Sequence, residues 1–159
     1  MIDERLTPSF WLSEFLRSDT ATRKGLDNTP SATELANIRN ILAPGMQQVR
    51  DLLCMPVQIT SGYRSPEVNR AVGGASASQH VLGLAADFVC PQVGSPRNVV
   101  EYLLQHNANL QFEQLIYEGG WVHIGFPPAG QRAKREVLTA HFAGGRVTYT
   151  PGLEERRRA

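Results

Sequence analysis

A chain of 159 residues, 42% of them apolar and 19% charged, suits one compact domain with a real core and is ordinary in composition for a globular protein. Its formal net charge of +1 excludes the global basic field of a nucleic-acid binder, and no apolar run approaches the ~20 residues that span a bilayer. The opening MIDERLTPSF lacks the charged-then-apolar layout of a secretory leader, so a cytoplasmically made monomer is expected.

We read one domain over residues 1–159, with residues 1–8 and 152–159 as frayed ends. FWLSEFL has apolar residues at helical spacing, and the polar stretch RSDTATRKGLDNTP after it reads as a loop. Ser31 and Glu34 form a capping-box pattern that opens a helix through LANIRNIL. Pro44-Gly45 is expected to interrupt or kink it before MQQVRDLL resumes the period. Cys54 and Cys90 sit beside apolar residues and outside any CxxC pair, which favours two buried, reduced thiols over a disulfide or a cysteine zinc site.

PVQIT predicts a strand that enters the loop SGYRS, and Ser65-Pro66 starts a short helix. VGGASASQ is loop and LGLAADFV a strand, after which Ser95-Pro96 opens a helix through NVVEYLLQH. FEQLIYE and WVHIGF are strands joined at Gly119-Gly120 as a hairpin, and weaker strands lie near REVLTAHF and RVTYT. Helices first and short strands later predict an α+β fold, with N-terminal helices packed on an antiparallel sheet.

The period of two in the central strands puts Gly83, Ala85 and Asp87 on one face, and Trp121, His123 and Gly125 on one face of the partner. Each strand keeps a greasy face for the core and sets one ligand-type side chain among small neighbours. A two-residue turn pairs Glu118 with Trp121 and Ile116 with His123, leaving Glu118 diagonal to His123 at roughly 7–8 Å between backbones. His80, in the loop before the Asp87 strand, can swing over the same surface. His80, Asp87 and His123 thus form a candidate set of three ligands, and three protein ligands plus a water is the catalytic zinc arrangement. The ion would lower the pKa of its bound water towards ~7, and Glu118 would take the proton and pass it to the leaving amine. The same two histidines and a carboxylate also suit ferrous iron in an oxygenase, although a seven-residue His-to-Asp gap departs from that pattern. His106 and His141 read as ordinary surface or core residues.

SGYRSPEVNRAVGGASASQHVLGLAADF, followed by LIYEGGWVHIGF, resembles the zinc D-Ala-D-Ala carboxypeptidase family, which shares its fold with the hedgehog signalling domain. The likeness covers roughly residues 9 to 126, and SEF, SDTA and GLDNTP resemble its small phage-associated members. It implies a peptidase of peptidoglycan stem peptides, a carboxypeptidase or an endolysin-type endopeptidase, carrying one zinc ion. In SQHxxGxAxD the family pattern makes His80 and Asp87 ligands, and WxH makes His123 the third. Arg64 matches an arginine near the substrate carbonyl or carboxylate, with a structural salt bridge as its alternative. Ser78 and Gln79 match positions lining the site, where they donate hydrogen bonds to the substrate or merely fix the loop; Tyr63 is as suited to packing as to binding, and Trp121 is a further candidate for substrate contact. Many members place the catalytic acid three residues before the last histidine, where this chain has Gly120; a glutamate before a glycine turn returns that role to Glu118. Without a leader, an enzyme acting on the wall needs a phage-type release route. The opposing reading is a hedgehog-like binding module that keeps zinc and hydrolyses nothing.

Overall fold

The computed structural model describes residues 2–106 and 109–155; most of the tail EERRRA lies outside them. Four helical segments come first: α1 (Leu12–Leu16), α2 (Asp19–Lys24), α3 (Ala32–Asn37) and α4 (Ala43–Leu53). The capping box of Ser31 and Glu34 forms as its spacing predicts. α2 lies inside the polar stretch expected as loop. Ser18 accepts a hydrogen bond from the Ala21 N–H, Arg23 and Lys24 occupy the last turn, and left-handed Gly25 closes it. With Ala21 as its one buried residue, this helix rests on its ends and has no apolar stripe to betray it.

Pro44-Gly45 does not interrupt the second helical run. α3 passes into α4 through a π turn over Ile38–Leu42, where the Ala43 N–H reaches back five residues to the Ile38 carbonyl. This wider turn just before the proline absorbs the hydrogen bond that Pro44 cannot donate. Gly45 faces the Phe126 ring, which an added Cβ would meet at 2.5 Å.

The strands are β1 (Gln58–Ser61), β2 (Ala85–Val89), β3 (Gln114–Tyr117), β4 (Val122–Gly125), β5 (Glu136–Ala143) and β6 (Arg146–Pro151), in the order β1-β2-β4-β3-β5-β6. The fold is α+β, but the sheet is mixed: β3 and β5 run parallel while every other neighbouring pair is antiparallel. After β4 the chain crosses back to the far side of β3, and the Arg135 and Glu136 N–H groups bond to Phe112 and Glu113 to start the parallel ladder. β2 is shorter than the run LGLAADFV. Gly83, at φ 70°, closes a 3-10 turn over Gln79–Leu82 and so lies outside the strand.

One face of the sheet is core. Ala86, Phe88, Leu115, Val122 and Ile124 pack with Leu42, Met46 and Val49 of the long helical run and with Val99 and Leu103 of α6 (Pro96–His106). A short helix α5 (Pro66–Ala71), capped by Ser65, follows β1. Residues expected to fray at the N-terminus are tied along the helices: Glu4 pairs with Arg39, and Leu6 packs against the core. Both cysteines are free, yet only Cys90 is buried; Cys54 is exposed at the left-handed end of α4. Among the described residues no helix is long and apolar enough to cross a membrane.

Gly45→Ala should improve helix propensity by up to about 1 kcal/mol but force apart the Phe126 contact at a cost of about 1–3 kcal/mol. The expected outcome is a lower thermal midpoint, read by circular dichroism, with Phe126→Leu in the same background restoring it.

Candidate metal centre

The face of the sheet turned away from the helices carries the site. β2 and β4 pair Asp87 directly with His123, and β3 pairs Ile116 with His123, the register that the two-glycine turn predicts. The Glu118 N–H bonds to the Trp121 carbonyl across that turn. Paired residues share a face, so Asp87, His123 and Ile116 form one row and Glu118 and Trp121 begin the next.

His80 reaches this row from the 3-10 turn, whose first N–H groups Ser78 caps with its hydroxyl and carbonyl oxygens. It does not swing. The His80 Nδ1–H donates to the Gly62 carbonyl at 2.7 Å, and the side chain is 2% exposed. That bond fixes the tautomer and aims the Nε2 lone pair inward, the second-sphere arrangement expected of a metal-binding imidazole. Gly62 in turn lies against α1, where an added Cβ would meet the Phe15 carbonyl oxygen at 2.4 Å.

The three candidate ligand atoms converge. His80 Nε2 stands 3.2 Å from Asp87 Oδ1 and 3.2 Å from His123 Nδ1, and His123 Nδ1 stands 3.0 Å from Asp87 Oδ1. Four tetrahedral ligands at zinc bond lengths lie about 3.3 Å apart, so two nitrogens and one oxygen at these spacings fit such an ion. Among the described residues this is the group of His, Cys, Asp and Glu side chains able to hold a metal ion, and all three members are buried. Two imidazole nitrogens facing each other at 3.2 Å share at most one proton, which makes a cation the natural partner of both lone pairs.

Electrostatics follow from burial and neighbours. Burial holds His80 below its ordinary value of 6.5, so the ring is neutral and ready to ligate. Burial pushes Asp87 up, but the electrostatic influence of His80 and His123 beside it outweighs that and keeps the carboxyl well below the usual range. Burial raises Glu118, opposed by His123 and Arg64.

Arg64 is placed on the Asp87 side. Its guanidinium donates to Asp87 Oδ2 at 3.4 Å, to Asn69 Oδ1 at 3.1 Å and to Ser61 Oγ at 3.2 Å, while its backbone N–H bonds to the His80 carbonyl. It orients the ligand oxygen of Asp87 and still lines the cleft. Asn69 and Ser61, which hold it there, escape a reading of the sequence because their role depends on distant contacts. Gly74 leaves their space open: an added Cβ would sit 2.1 Å from Asn69 Oδ1.

Of the other candidates, Ser78, Gln79 and Trp121 line the cleft with Glu118. Gln79 donates from Nε2 to the Phe126 carbonyl and lies on Gly125, whose missing Cβ gives it room. Of the two roles open to Tyr63, packing is the one seen: it is buried in the core cluster and absent from the cleft lining, and its backbone N–H bonds to the Phe15 carbonyl. His106 stacks on Tyr102 and His141 bonds to Thr150, both away from the ligand group.

The cleft over this face holds about 1160 Å³ and is lined on one side by α2 and on the other by β5 and β6. A family model described as Peptidase M15 matches residues 8–125. The chain belongs to the peptidase M15 family. No curated protein matches it. M15 enzymes are zinc-dependent metallopeptidases, and the His80, Asp87 and His123 group is what this M15 peptidase offers for a metal.

The shifts set the acid stability of the metal-free protein. A histidine lowered on folding disfavours the folded state once pH drops below 6.5, and a lowered aspartate contributes stability above 3.8 that is lost as pH falls through its folded value. Both slopes have the same sign. The thermal midpoint of chelator-treated protein should fall by several degrees between about pH 7.5 and about pH 5.5, and His80→Gln should flatten that dependence.

Proposed function

We propose that this chain is a zinc peptidase that hydrolyses peptide bonds in peptidoglycan stem peptides. The observation that carries this reading is the buried, three-membered ligand group opening onto a long cleft with a carboxylate, Glu118, in the adjacent row. Three protein ligands leave a coordination place free, which separates a catalytic from a structural zinc site. A zinc ion held by His80, Asp87 and His123 would activate water and polarise the scissile carbonyl.

The chain's own residues complete the chemistry. Glu118, raised by partial burial, takes the proton of the attacking water and delivers it to the departing amine. Arg64 holds the Asp87 carboxylate in place, and three of its five N–H bonds are already directed at protein acceptors. Arg17, just after α1, and Arg23 of α2 line the cleft and supply cations for a carboxylate of the peptide. Because the cleft walls extend past the ligand group toward α2 on one side and β6 on the other, residues on both sides of the cut bond find contact. This supports an endolysin-type cut within a stem or cross-bridge over removal of a terminal D-Ala.

The test is digestion of purified peptidoglycan by zinc-loaded protein, with mass spectrometry of the stem peptides. Wild type should release new amines at a bond named by the mass lost, and Glu118→Gln should lower the rate at least ~100-fold while retaining one zinc per chain. Loss of a single terminal alanine would make it a carboxypeptidase. Zinc bound by both proteins with no new amines from either would make it a binding module.

A further inference from the structure

Residues after 125 lie outside the family match, yet the β5–β6 hairpin continues the face that carries the ligand group. Tyr117 pairs with Thr139, so Glu118, one residue on, falls level with Ala140, and Ala140 pairs with Tyr149. Trp121, Glu118, Ala140 and Tyr149 therefore make one lateral row, next to the row that holds Asp87 and His123. Strands lie about 4.8 Å apart, which puts Tyr149 two strands from Glu118 with only a methyl group between them. A phenol ring is long enough to reach across that gap. Glu118 and Tyr149 line the same cleft, and Tyr149 is 47% exposed. Burial raises its phenol, and the negative charges of Glu118 and Asp87 add to the rise, as their proximity requires.

The cleft needs such a group. Hydrolysis of an amide develops negative charge on the carbonyl oxygen, and a donor aimed at it is among the strongest contributions a protein makes. Arg64 is largely committed to Asp87, Asn69 and Ser61, and the Gln79 amide donates to the Phe126 carbonyl. The Tyr149 hydroxyl, by contrast, has no acceptor among the described residues and remains protonated at neutral pH.

Resting on the peptidase reading above, we infer that Tyr149 is a further catalytic residue, donating its phenolic O–H to the scissile carbonyl oxygen as that oxygen becomes negative. No proton is transferred from it: the hydrogen bond forms with the substrate and strengthens as the tetrahedral carbon forms, while Glu118 handles the proton of the water.

Tyr149→Phe deletes the hydroxyl and keeps the ring. Its kcat on stem peptides should fall about 10²-fold with KM nearly unchanged, as for loss of one oxyanion donor. A phosphinate dipeptide, whose tetrahedral oxygens mimic the charged state, should bind the zinc-loaded variant more weakly by a similar factor by calorimetry, whereas an uncleaved ground-state dipeptide should bind both proteins alike. Phe142→Ala, in the same hairpin, should not reproduce the selective loss. Equal phosphinate affinity in wild type and Tyr149→Phe would overturn the inference, even with a fall in rate. If wild type cleaves no stem peptide, the peptidase reading fails separately, and the phosphinate comparison still decides whether Tyr149 faces the charged oxygen.

Discussion

Three ligand atoms about 3 Å apart, largely buried at the floor of the cleft, are the constraint around which this protein is built. Bringing two imidazoles and a carboxylate together without a compensating charge is costly. The surrounding structure meets that cost with specific partners. The Gly62 carbonyl fixes one ring, the β2–β4 register fixes the other against Asp87, and Arg64 balances the free carboxylate oxygen. Each partner belongs to a different part of the chain, so the site exists only when the helices, the SGYRS loop and the sheet are assembled together.

How much of this can be read from residues alone depends on how local each cause is. The alternation in AADF and WVHIGF, together with the two-glycine turn, dictates which side chains share a face, and the pairing of Asp87 with His123 and the diagonal position of Glu118 follow from it. The capping box at Ser31 is equally local. Helix α2 has no apolar stripe, so its caps alone announce it, and they are also turn formers. The π turn before Pro44 lets the helix run on past a residue that ordinarily reads as a break, an accommodation that the local pattern does not announce. The pinning of His80, the burial of Tyr63 and the parallel β3–β5 ladder depend on residues far along the chain.

The sheet divides labour cleanly between its faces. Its apolar face is clamped by the α3–α4 run and by α6, which stiffens the strands. The other face can then afford small and polar residues, because it contributes little to the core. Rigid strands are the better place for ligands that must hold position, while the more exposed β5–β6 hairpin adds cleft wall where adaptation to a substrate is useful.

The two-glycine hairpin carries a further implication for how such a protein can change. In a pleated ladder the side chains alternate strictly, so adding or deleting a single residue between Ile116 and His123 would reverse the parity of one strand and bury the imidazole among core hydrocarbons. Changes of two residues preserve parity. Length variation at this hairpin should therefore come in even steps, whereas loops elsewhere on the surface are free of that arithmetic.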